Sequence, residues 1–366
     1  MKKNTNTDTV KNSKHIFFIG IGGVSMASLA RYALTSGKKV SGSDKDDSDV
    51  LRELEKEGAR VFVGHRADSI DGCDLVVYTA AVKDDNPELI AARAGSIPTL
   101  SRAEFMGAIM ADYRVRIGVS GSHGKSSATA MISHVMLAAG KDPTVMCGAD
   151  IPEIEGACRI GEGAFLFEAC EYKDSFLSLR PNIAVILNVD HDHTDYFKTP
   201  GDVVKSFEKF AKISSDEGGS VIVCADDKGA VSASENEFPI TYGIDEDADY
   251  RAVGVEMKNG FASFGVTFCD EPFIEKITLS VPGRHNVYNA LATIAVCDLI
   301  GVDRNVTAKA VGTFSGISRR FEKRGNIGGA PVFVDYAHHP KEIEATLAAA
   351  RQLCCGKIIA VFEPHT

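Results

Sequence analysis

The sequence GSHGKS (Gly121–Ser126) lies between a buried apolar stretch, RIGVS (Arg116–Ser120), and a segment of helical period, KSSATAMISHVMLAAG (Lys125–Gly140). A glycine-rich turn from a strand into a helix directs backbone N–H groups at phosphate oxygens, and the helix N-terminus adds a favourable dipole. The lysine can reach terminal phosphate oxygens, and the hydroxyl that follows it can bind Mg²⁺. Because Val119 replaces the first glycine of the general phosphate-loop pattern, a plain glycine turn with an exposed lysine is the alternative.

Apolar strands alternate with helical stretches on both sides of this turn, which predicts an α/β fold with parallel sheets covered on both faces. Between Tyr250 and Pro282 the period of the apolar residues falls towards two, which predicts a small antiparallel meander. The sequence of Asn286–Gly301 is typical of a buried helix. The predicted strands are His15–Gly20, Lys39–Asp44, Arg60–Gly64, Asp74–Thr79, Arg116–Gly121, Ala164–Ala169, Ile183–Val189, Ser220–Ala225, Val332–Ala337 and Lys357–Glu363.

The alternation of apolar strands and helical stretches breaks off and begins again twice along the chain, so we expect three domains after a polar N-terminal tail. The tail, residues 1–13, is expected to be disordered, and the domains are expected at 14–113, 114–316 and 317–366. The last of these has two predicted strands and one helix, Pro340–Gln352, which cannot cover both faces of a sheet. We therefore expect the chain to be truncated inside its C-terminal domain.

Composition excludes several classes of function. The 366 residues include 40 Lys and Arg against 50 Asp and Glu, and a net charge of −10 argues against a broad nucleic-acid surface. No apolar run approaches the ~18 residues of a membrane span. The nine cysteines include no Cys-x-x-Cys pair, which indicates reduced thiols and a cytoplasmic location. The sequence does not indicate an oligomeric state.

A second glycine-rich turn, Gly20–Ser25, follows the first predicted strand, and Asp44 ends the second. This arrangement is similar to the dinucleotide fingerprint, in which an acid on the second strand contacts a ribose. However, Ser25 replaces the last glycine, and Gly23 is an additional one. The residues leave three interpretations open: NAD binding, as in an oxidoreductase, binding of another diphosphate such as a nucleotide sugar, or a tight turn.

Acids and histidines gather where predicted strands end. Glu168 and Glu171 close one strand, and the next leads into NVDHDHTD (Asn188–Asp195). The carboxyl ends of parallel strands line the crevice in which open α/β sheets bind ligands. Oxygen-rich donors there suit Mg²⁺ or Mn²⁺ held jointly with phosphates. A solvated acidic loop and a histidine-rich zinc site are the alternatives.

Two later motifs are weaker. In GRHNVYNA (Gly283–Ala290), Asn286 and Asn289 share one helix face and can address one ligand, although Asn286 could instead be a helix cap. Arg319–Glu322 and Asp335–Pro340 place basic residues in a linker, and an acid with histidines at a strand end. The second of these patterns is typical of a site.

Together, and in this order, these motifs resemble the Mur ligases from His15 to Thr366. The resemblance rests on GIGGVSM, GSHGKS, NVDHDHTDYF, GRHNVYNA, RRFEKRG and DYAHHP. It implies a three-domain α/β architecture: an N-terminal Rossmann-like domain, a central phosphate-loop ATPase-type domain with a small antiparallel sheet, and an incomplete C-terminal Rossmann-like domain. It also implies that the first glycine turn binds a UDP-sugar and not NAD.

The activity implied by the resemblance is ATP-dependent amide formation in peptidoglycan precursor synthesis. L-alanine would be joined to UDP-N-acetylmuramate through an acyl phosphate, with ATP and Mg²⁺ as cofactors and small molecules as the partners. A murein-peptide recycling ligase, which attaches a tripeptide instead, and a catalytically incomplete nucleotide-binding fragment are the alternatives.

The resemblance also implies roles at matching positions. The implied catalytic residues are Lys125, Glu168 and His193, and the implied metal ligands are Ser126, Glu168 and His193. The implied ATP-binding residues are Gly121, Ser122, His123, Gly124, Lys125, Ser126, Ser127, His285, Asn286, Asn289, Arg320 and Asp335. The implied UDP-sugar site is Gly20, Gly22, Gly23, Ser25, Met26, Asp44 and His65, and the implied amino-acid site is Tyr336 and His338. Cys170 departs from the family, in which many relatives have aspartate.

Overall fold

The first unit contains a five-stranded parallel sheet in the order β3-β2-β1-β4-β5. The computed structural model describes residues 5–354 and 356–364. The strands are β1 His15–Ile19, β2 Lys39–Asp44, β3 Arg60–Val63, β4 Leu75–Tyr78 and β5 Thr99–Ser101, and the helices are α1 Thr5–Asn12, α2 Val24–Thr35, α3 Asp49–Lys56, α4 Pro87–Ala94 and α5 Arg102–Met110. The chain places β2 and β3 on one side of β1 and then β4 and β5 on the other side. The crevice at the carboxyl end of β1 is therefore the topological switch point of the sheet.

Helix α1 corrects the expectation of a disordered tail over residues 1–13, of which 1–4 lie outside the described residues. Val10 is 8% exposed, and Thr7 donates a hydrogen bond to the carbonyl of Ala108 on α5 at 3.5 Å. Lys11 forms an ion pair with Asp112, just beyond α5, at 2.5 Å. The polar composition of this segment gives no indication of a helix, because the helix is stabilised by contacts with a segment about 100 residues away in sequence.

The second unit contains a ten-stranded mixed sheet in the order β15-β14-β13-β12-β11-β10-β6-β9-β7-β8. Its strands are β6 Arg116–Ser120, β7 Thr144–Ile151, β8 Gly156–Arg159, β9 Phe165–Glu168, β10 Ile183–Ile186, β11 Ser220–Cys224, β12 Ile240–Gly243, β13 Tyr250–Lys258, β14 Phe261–Phe268 and β15 Glu271–Pro282. Its helices are α6 Lys125–Ala138, α7 Pro200–Asp216, α8 Lys228–Ser232, α9 His285–Leu299 and α10 Arg304–Thr313, with 3-10 turns at Ala67–Ile70 in the first unit and Pro152–Ile154, Tyr172–Ser178 and Glu235–Glu237 here.

The predicted meander over residues 250–282 is confirmed, but it continues the main sheet because β12 pairs with β13 in parallel. At the centre of the sheet, β6 lies between β10 and β9, so the turn after β6 opens beside the ends of both neighbours. Helices α6 and α9 pack through buried apolar residues of one core cluster. No helix among the described residues is long and apolar enough to cross a membrane.

The C-terminal segment forms an antiparallel hairpin, β16 Glu322–Ile327 and β17 Ala330–Val334, followed by α11 Pro340–Leu353. The prediction of a strand over Val332–Ala337 is therefore shifted, because Gly328 and Gly329, both with positive φ, form a tight turn that pairs the strand with β16. The prediction of a strand over Lys357–Glu363 is wrong: residues 357–363 have no assigned strand and are mostly exposed, with Val361 95% accessible.

Candidate active site

The phosphate loop, Gly121–Ser126, connects β6 to α6 and needs its glycines. Gly121 and Gly124 have φ of 143° and 82°, where side chains other than glycine are strained. A Cβ on Gly124 would lie 3.2 Å from Oδ1 of Asn289, and one on Gly121 would lie 3.0 Å from the Leu187 side chain. The loop is therefore packed tightly between the end of β10 and the first turns of α9.

Asn188, which follows β10, holds this loop in shape. Its Oδ1 accepts a hydrogen bond from the His123 N–H at 2.8 Å, and its Nδ2 donates to the His123 carbonyl at 3.1 Å. The Ser122 N–H donates to the Asn188 carbonyl at 3.1 Å. Two N–H groups of the expected phosphate cradle are thus occupied, which leaves the first turn of α6, from Lys125 onward, to present unpaired N–H groups.

Lys125 lies folded over the loop that precedes it. Its Nζ donates to the Gly121 carbonyl at 2.5 Å and lies 3.1 Å from Oε2 of Glu171, which is 1% exposed. Burial is the strongest single influence and lowers the pKa of Lys125, but Glu171, Cys170 and Glu168 together outweigh burial, and the pKa is raised. The site therefore holds a permanently charged ammonium group at the tip of the loop.

Glu168 and His193 are the other two residues with an implied catalytic role. Oε1 of Glu168 accepts hydrogen bonds from the Gly148 N–H at 2.6 Å and the Cys147 thiol at 3.0 Å. A Cβ on Gly148 would lie 2.9 Å from Oε2 of Glu168, so only glycine leaves room for this carboxylate. His193 Nε2 lies 3.7 Å from Glu171 and not from Glu168. Among the described residues, no three His, Cys, Asp or Glu side chains are grouped closely enough to hold a metal ion by themselves.

A cavity of about 920 Å³ extends from the phosphate loop to the C-terminal segment. Its floor is the start of α9, where Asn289 donates to Asn286 at 3.0 Å and Asn286 donates to the Pro282 carbonyl at 2.8 Å. The two asparagines thus share a face, as their spacing predicts. The sequence-predicted ATP residues that line this cavity are His123, Gly124, Ser127, His285, Asn286, Asn289, Arg320 and Asp335.

The C-terminal segment closes the far side of this large cavity. Asp335 accepts hydrogen bonds from the N–H groups of Phe321 and Ala337 at 2.8 and 2.7 Å. Tyr336 and His338, the predicted amino-acid site, are neighbours with ring centroids 5.3 Å apart, but neither lines the large cavity. The Arg320 guanidinium lies 5.6 Å from the Tyr336 ring centroid.

The glycine loop of the first unit, Gly20–Ser25, lies at the switch point of its sheet. The Gly22 N–H donates to Oδ2 of Asp44 at 2.8 Å, and a Cβ on Gly22 would lie 2.9 Å from that oxygen. Gly23 is the N-cap of α2. The side chain of Met26 is 2% exposed and packs in the core, which corrects its expected place in the UDP-sugar site.

His65, from the same predicted site, is paired with a buried acid. Its Nδ1 lies 2.8 Å from Oε2 of Glu88, which is fully buried and also accepts from the Ser43 hydroxyl at 2.8 Å. This pair fixes the ring at the carboxyl ends of β2 and β3, on the side of the sheet where Asp44 ends its strand.

A cavity of about 230 Å³ lies where the first two units meet. The first unit contributes Ser25 and Ser28 from α2 and Arg102 from α5, and the second contributes Lys125 and Glu168. The glycine loop and the phosphate loop therefore open onto one shared space, called the small cavity below.

Three family models match in sequence order: Mur ligase family, catalytic domain, over residues 15–114, Mur ligase middle domain over 119–297, and Mur ligase, glutamate ligase domain, over 319–366. Together they match most of the chain. The chain belongs to the Mur ligase family. Membership removes the dehydrogenase interpretation of the glycine loop in this Mur ligase.

Similar proteins include two curated relatives named UDP-N-acetylmuramate–L-alanine ligase. The one from Caldanaerobacter subterraneus is 46% identical over 96% of this chain and 77% of the relative, and that from Clostridium novyi is 44% identical over 97% and 78%. The structure of UDP-N-acetylmuramate-alanine ligase from Thermotoga maritima matches with a TM-score of 0.82 and 30% identity, covering 93% of this chain and 78% of that one. A murein peptide ligase from Psychrobacter arcticus matches with a TM-score of 0.78 and 26% identity, covering 93% and 76%. The three-domain fold is thereby confirmed.

Sequence reasoning did not predict the roles of several residues that shape this Mur ligase site. Asn188 and Glu171 stood in quoted motifs, but nothing in their spacing revealed that they hold the phosphate loop and Lys125. Glu342, which contacts His123 at 3.4 Å, is two residues beyond Pro340 in an ordinary helix start. Arg102 begins α5 and carries no motif. Their contacts join segments that are distant in sequence.

Proposed function

We propose that this chain catalyses ATP-dependent joining of L-alanine to UDP-N-acetylmuramate. The small cavity carries the proposal, because it places the glycine loop of the first unit against Lys125 and Glu168 of the second. A carboxylate on a sugar nucleotide held by the first loop would there meet a phosphoryl group held by the second. The names of the similar proteins from Caldanaerobacter, Clostridium and Thermotoga support the same substrates.

Each unit would then carry one substrate. Residues 14–113 bind the UDP-sugar along the glycine loop, Asp44 and His65, and residues 114–316 bind ATP in the large cavity. Asn286 and Asn289 lie on the floor of that cavity, where the nucleoside would lie, and the phosphates would point to the first turn of α6. Residues 317–366 contribute Arg320 and Asp335 to ATP, with Tyr336 and His338 towards the amino acid.

The reaction has two steps. A carboxylate oxygen of the muramate attacks the γ-phosphorus of ATP, so that a C–O–P linkage forms while the bond between phosphorus and the ADP oxygen breaks. The amine of L-alanine then attacks the acyl carbon, loses a proton, and phosphate leaves. Lys125 stabilises the charge that spreads over the transferring phosphoryl oxygens, and the packed loop positions them. Exclusion of water from the small cavity protects the acyl phosphate from hydrolysis.

The donor set at this site fits Mg²⁺. Glu168, His193 and the Ser126 hydroxyl supply oxygen donors and one imidazole, but among the described residues no protein cluster holds a metal without further ligands. Mg²⁺ is commonly held by one or two carboxylates together with substrate phosphates, so this incomplete set suits an ion that arrives with ATP. The ion would neutralise phosphate charge, while Glu168 is already held in place by Gly148 and Cys147.

The proposal is tested by ADP release measured with each substrate omitted in turn. We expect release that requires UDP-N-acetylmuramate, and an amide product with L-alanine in preference to the tripeptide that murein peptide ligases attach. Lys125→Met is expected to lower turnover by at least about 100-fold, since it removes a charge that stabilises the transition state.

Lys212→Met is the matched control, because Lys212 is exposed and pairs with Asp216 on the surface of α7. It should leave turnover unchanged. Binding of ATP and UDP-N-acetylmuramate without any ADP release would contradict the ligase proposal, and preference for the tripeptide would reassign the amine substrate.

A further inference from the structure

Arg102 is the first residue of α5, half-buried, and lines the small cavity. Over residues 5–354 and 356–364, its side chain takes part in no hydrogen bond or ion pair with the protein. Lys125 in the same cavity is already paired with Glu171, and Glu168 is held by Gly148 and Cys147. Arg102 is therefore a cation in this cavity whose donors are not used by the fold.

The position of Arg102 is fixed by packing on both sides of α5. Phe105 packs edge-on against Phe18 of the first sheet, with ring centroids 5.6 Å apart. On the opposite side, a Cβ on Gly107 would lie only 2.5 Å from the Ser178 carbonyl of the second unit, so α5 lies against it with no room to spare. The helix that begins at Arg102 is thus packed against both the first and the second unit.

Helix capping makes a cation an unexpected choice at this position. Ser101 and Glu104 form a reciprocal capping box, in which the Glu104 N–H donates to the Ser101 hydroxyl and the Ser101 N–H donates to the Glu104 carboxylate. A positive side chain in the first turn is opposed by the helix dipole. Arg102 therefore does not serve the helix it begins, and its charge faces a cavity that also contains the phosphate-loop lysine.

We propose that Arg102 binds the reacting carboxylate of the muramate substrate. A cavity of about 230 Å³ is too small for a nucleotide but can hold a carboxylate beside a phosphoryl group. A guanidinium offers two parallel N–H donors that match the two carboxylate oxygens. Arg102 orients the carboxylate towards Lys125 and reduces the repulsion between two anions that must approach each other.

This inference rests on the proposed function and is tested by comparing two ligands that differ in that carboxylate. UDP-N-acetylmuramate carries it on a lactyl ether, and UDP-N-acetylglucosamine lacks the whole lactyl group. Dissociation constants are measured by calorimetry for the unaltered protein, Arg102→Ala and Arg102→Lys. We expect Arg102→Ala to weaken binding of the muramate by about 10-fold or more and binding of the glucosamine by less than about 2-fold.

Arg102→Lys should show an intermediate loss for the muramate, because a lysine keeps the charge but loses the two-pronged geometry. It also keeps the test decisive if Arg102→Ala does not fold. Arg93→Ala is the matched control, since Arg93 lies on the surface of α4 and pairs with Asp84, and it should change neither constant.

The outcomes separate the two proposals. If the unaltered protein binds the muramate better than the glucosamine and both Arg102 variants keep that ratio, the role of Arg102 is overturned while the ligase proposal stands. If the unaltered protein binds neither ligand, the proposed function itself fails, and the inference about Arg102 fails with it.

Discussion

The buried charge of Lys125 is stabilised by protein groups before any ligand binds. Its ammonium group contacts the Gly121 carbonyl and the Glu171 carboxylate, so its donors are satisfied without substrate. A buried charge that loses its partner is strongly destabilising, whereas exchange of one anionic partner for another is not. Triphosphate oxygens could therefore replace Glu171 as the partner of Lys125 with little loss.

Replacement of Glu171 by glutamine tests this exchange. Glu171→Gln leaves the ammonium without its counter-charge, and we expect a loss of about 2 kcal/mol in the free energy of unfolding, seen as a fall in Tm of roughly 4 °C. A non-hydrolysable ATP analogue should raise the Tm of the variant by more than it raises that of the unaltered protein, because the phosphates restore an anionic partner.

The control for this experiment is Glu53→Gln. Glu53 pairs with Arg31 at 3.3 Å but is 58% exposed, and such surface pairs contribute little to stability. It should change neither the Tm nor the response to the analogue. An analogue response in Glu171→Gln that is equal to or smaller than that of the unaltered protein would contradict the exchange of partners.

At the scale of helices and strands, the sequence predicted those elements whose cause is local. β1, His15–Ile19, lies within the predicted bounds of His15–Gly20, because a buried apolar run that ends at a glycine identifies a parallel strand without further information. The strand expected at Lys357–Glu363 has the same apolar pattern but pairs with no described neighbour. A strand depends on a partner, and a pattern within one segment does not reveal whether that partner exists.

The same distinction explains how far the candidate site was predictable. Glycines and the lysine of the phosphate loop are recognised from their order, and Asn286 and Asn289 from their helical spacing. Glu171 and Asn188 contact that loop because β9 and β10 flank β6, an order the sequence does not state. Met26 has the spacing of a loop residue but faces the core, since the first turn of α2 directs it inward.

Helix α1 leads to a prediction about one element. Val10 is its buried apolar residue and belongs to an apolar core cluster that includes residues of the first two units. Val10→Ala should cost about 1 kcal/mol through loss of buried methyl groups and should speed amide hydrogen exchange in both α1 and α5. Asp8→Ala, on the exposed face of the same helix, is the control and should leave exchange in α5 unchanged. Equal exchange in α5 for the two variants would show that α1 does not stabilise it.

Across the whole molecule, α11 of the C-terminal segment contacts the phosphate loop through a network of charges. His123 lies between Asp190 and Glu342, at 3.2 and 3.4 Å, and its ring is 4.5 Å from that of His339. Glu342 also contacts Arg320 at 3.6 Å, and Lys341 pairs with Asp190. The loop and the segment that closes the large cavity are thus joined by a network in which the two ion pairs of His123 require that histidine to be charged.

The protonation of His123 therefore contributes to how firmly α11 docks. Burial lowers the pKa of His123, but Asp190 and Glu342 outweigh burial and raise it from 6.5 to about 9. A group whose pKa is raised by docking contributes fully below pH 6.5, and that contribution is lost as the pH rises through about 9. The pKa of Glu342 is lowered to about 2, against the effect of burial, by His123 and Arg320, so its contribution is lost only in strong acid.

We accordingly expect α11 to dock most firmly between about pH 4.5 and 6.5 and to loosen progressively towards pH 9. Hydrogen exchange of the α11 amides, corrected for the intrinsic effect of pH, measures this loosening. His123→Gln removes the titrating group, so protection of α11 in that variant should be weaker at pH 6 and nearly constant up to pH 9. The same fall in protection in both proteins would mean that another group governs docking, because only the unaltered chain loses the charge that Glu342 and Asp190 share.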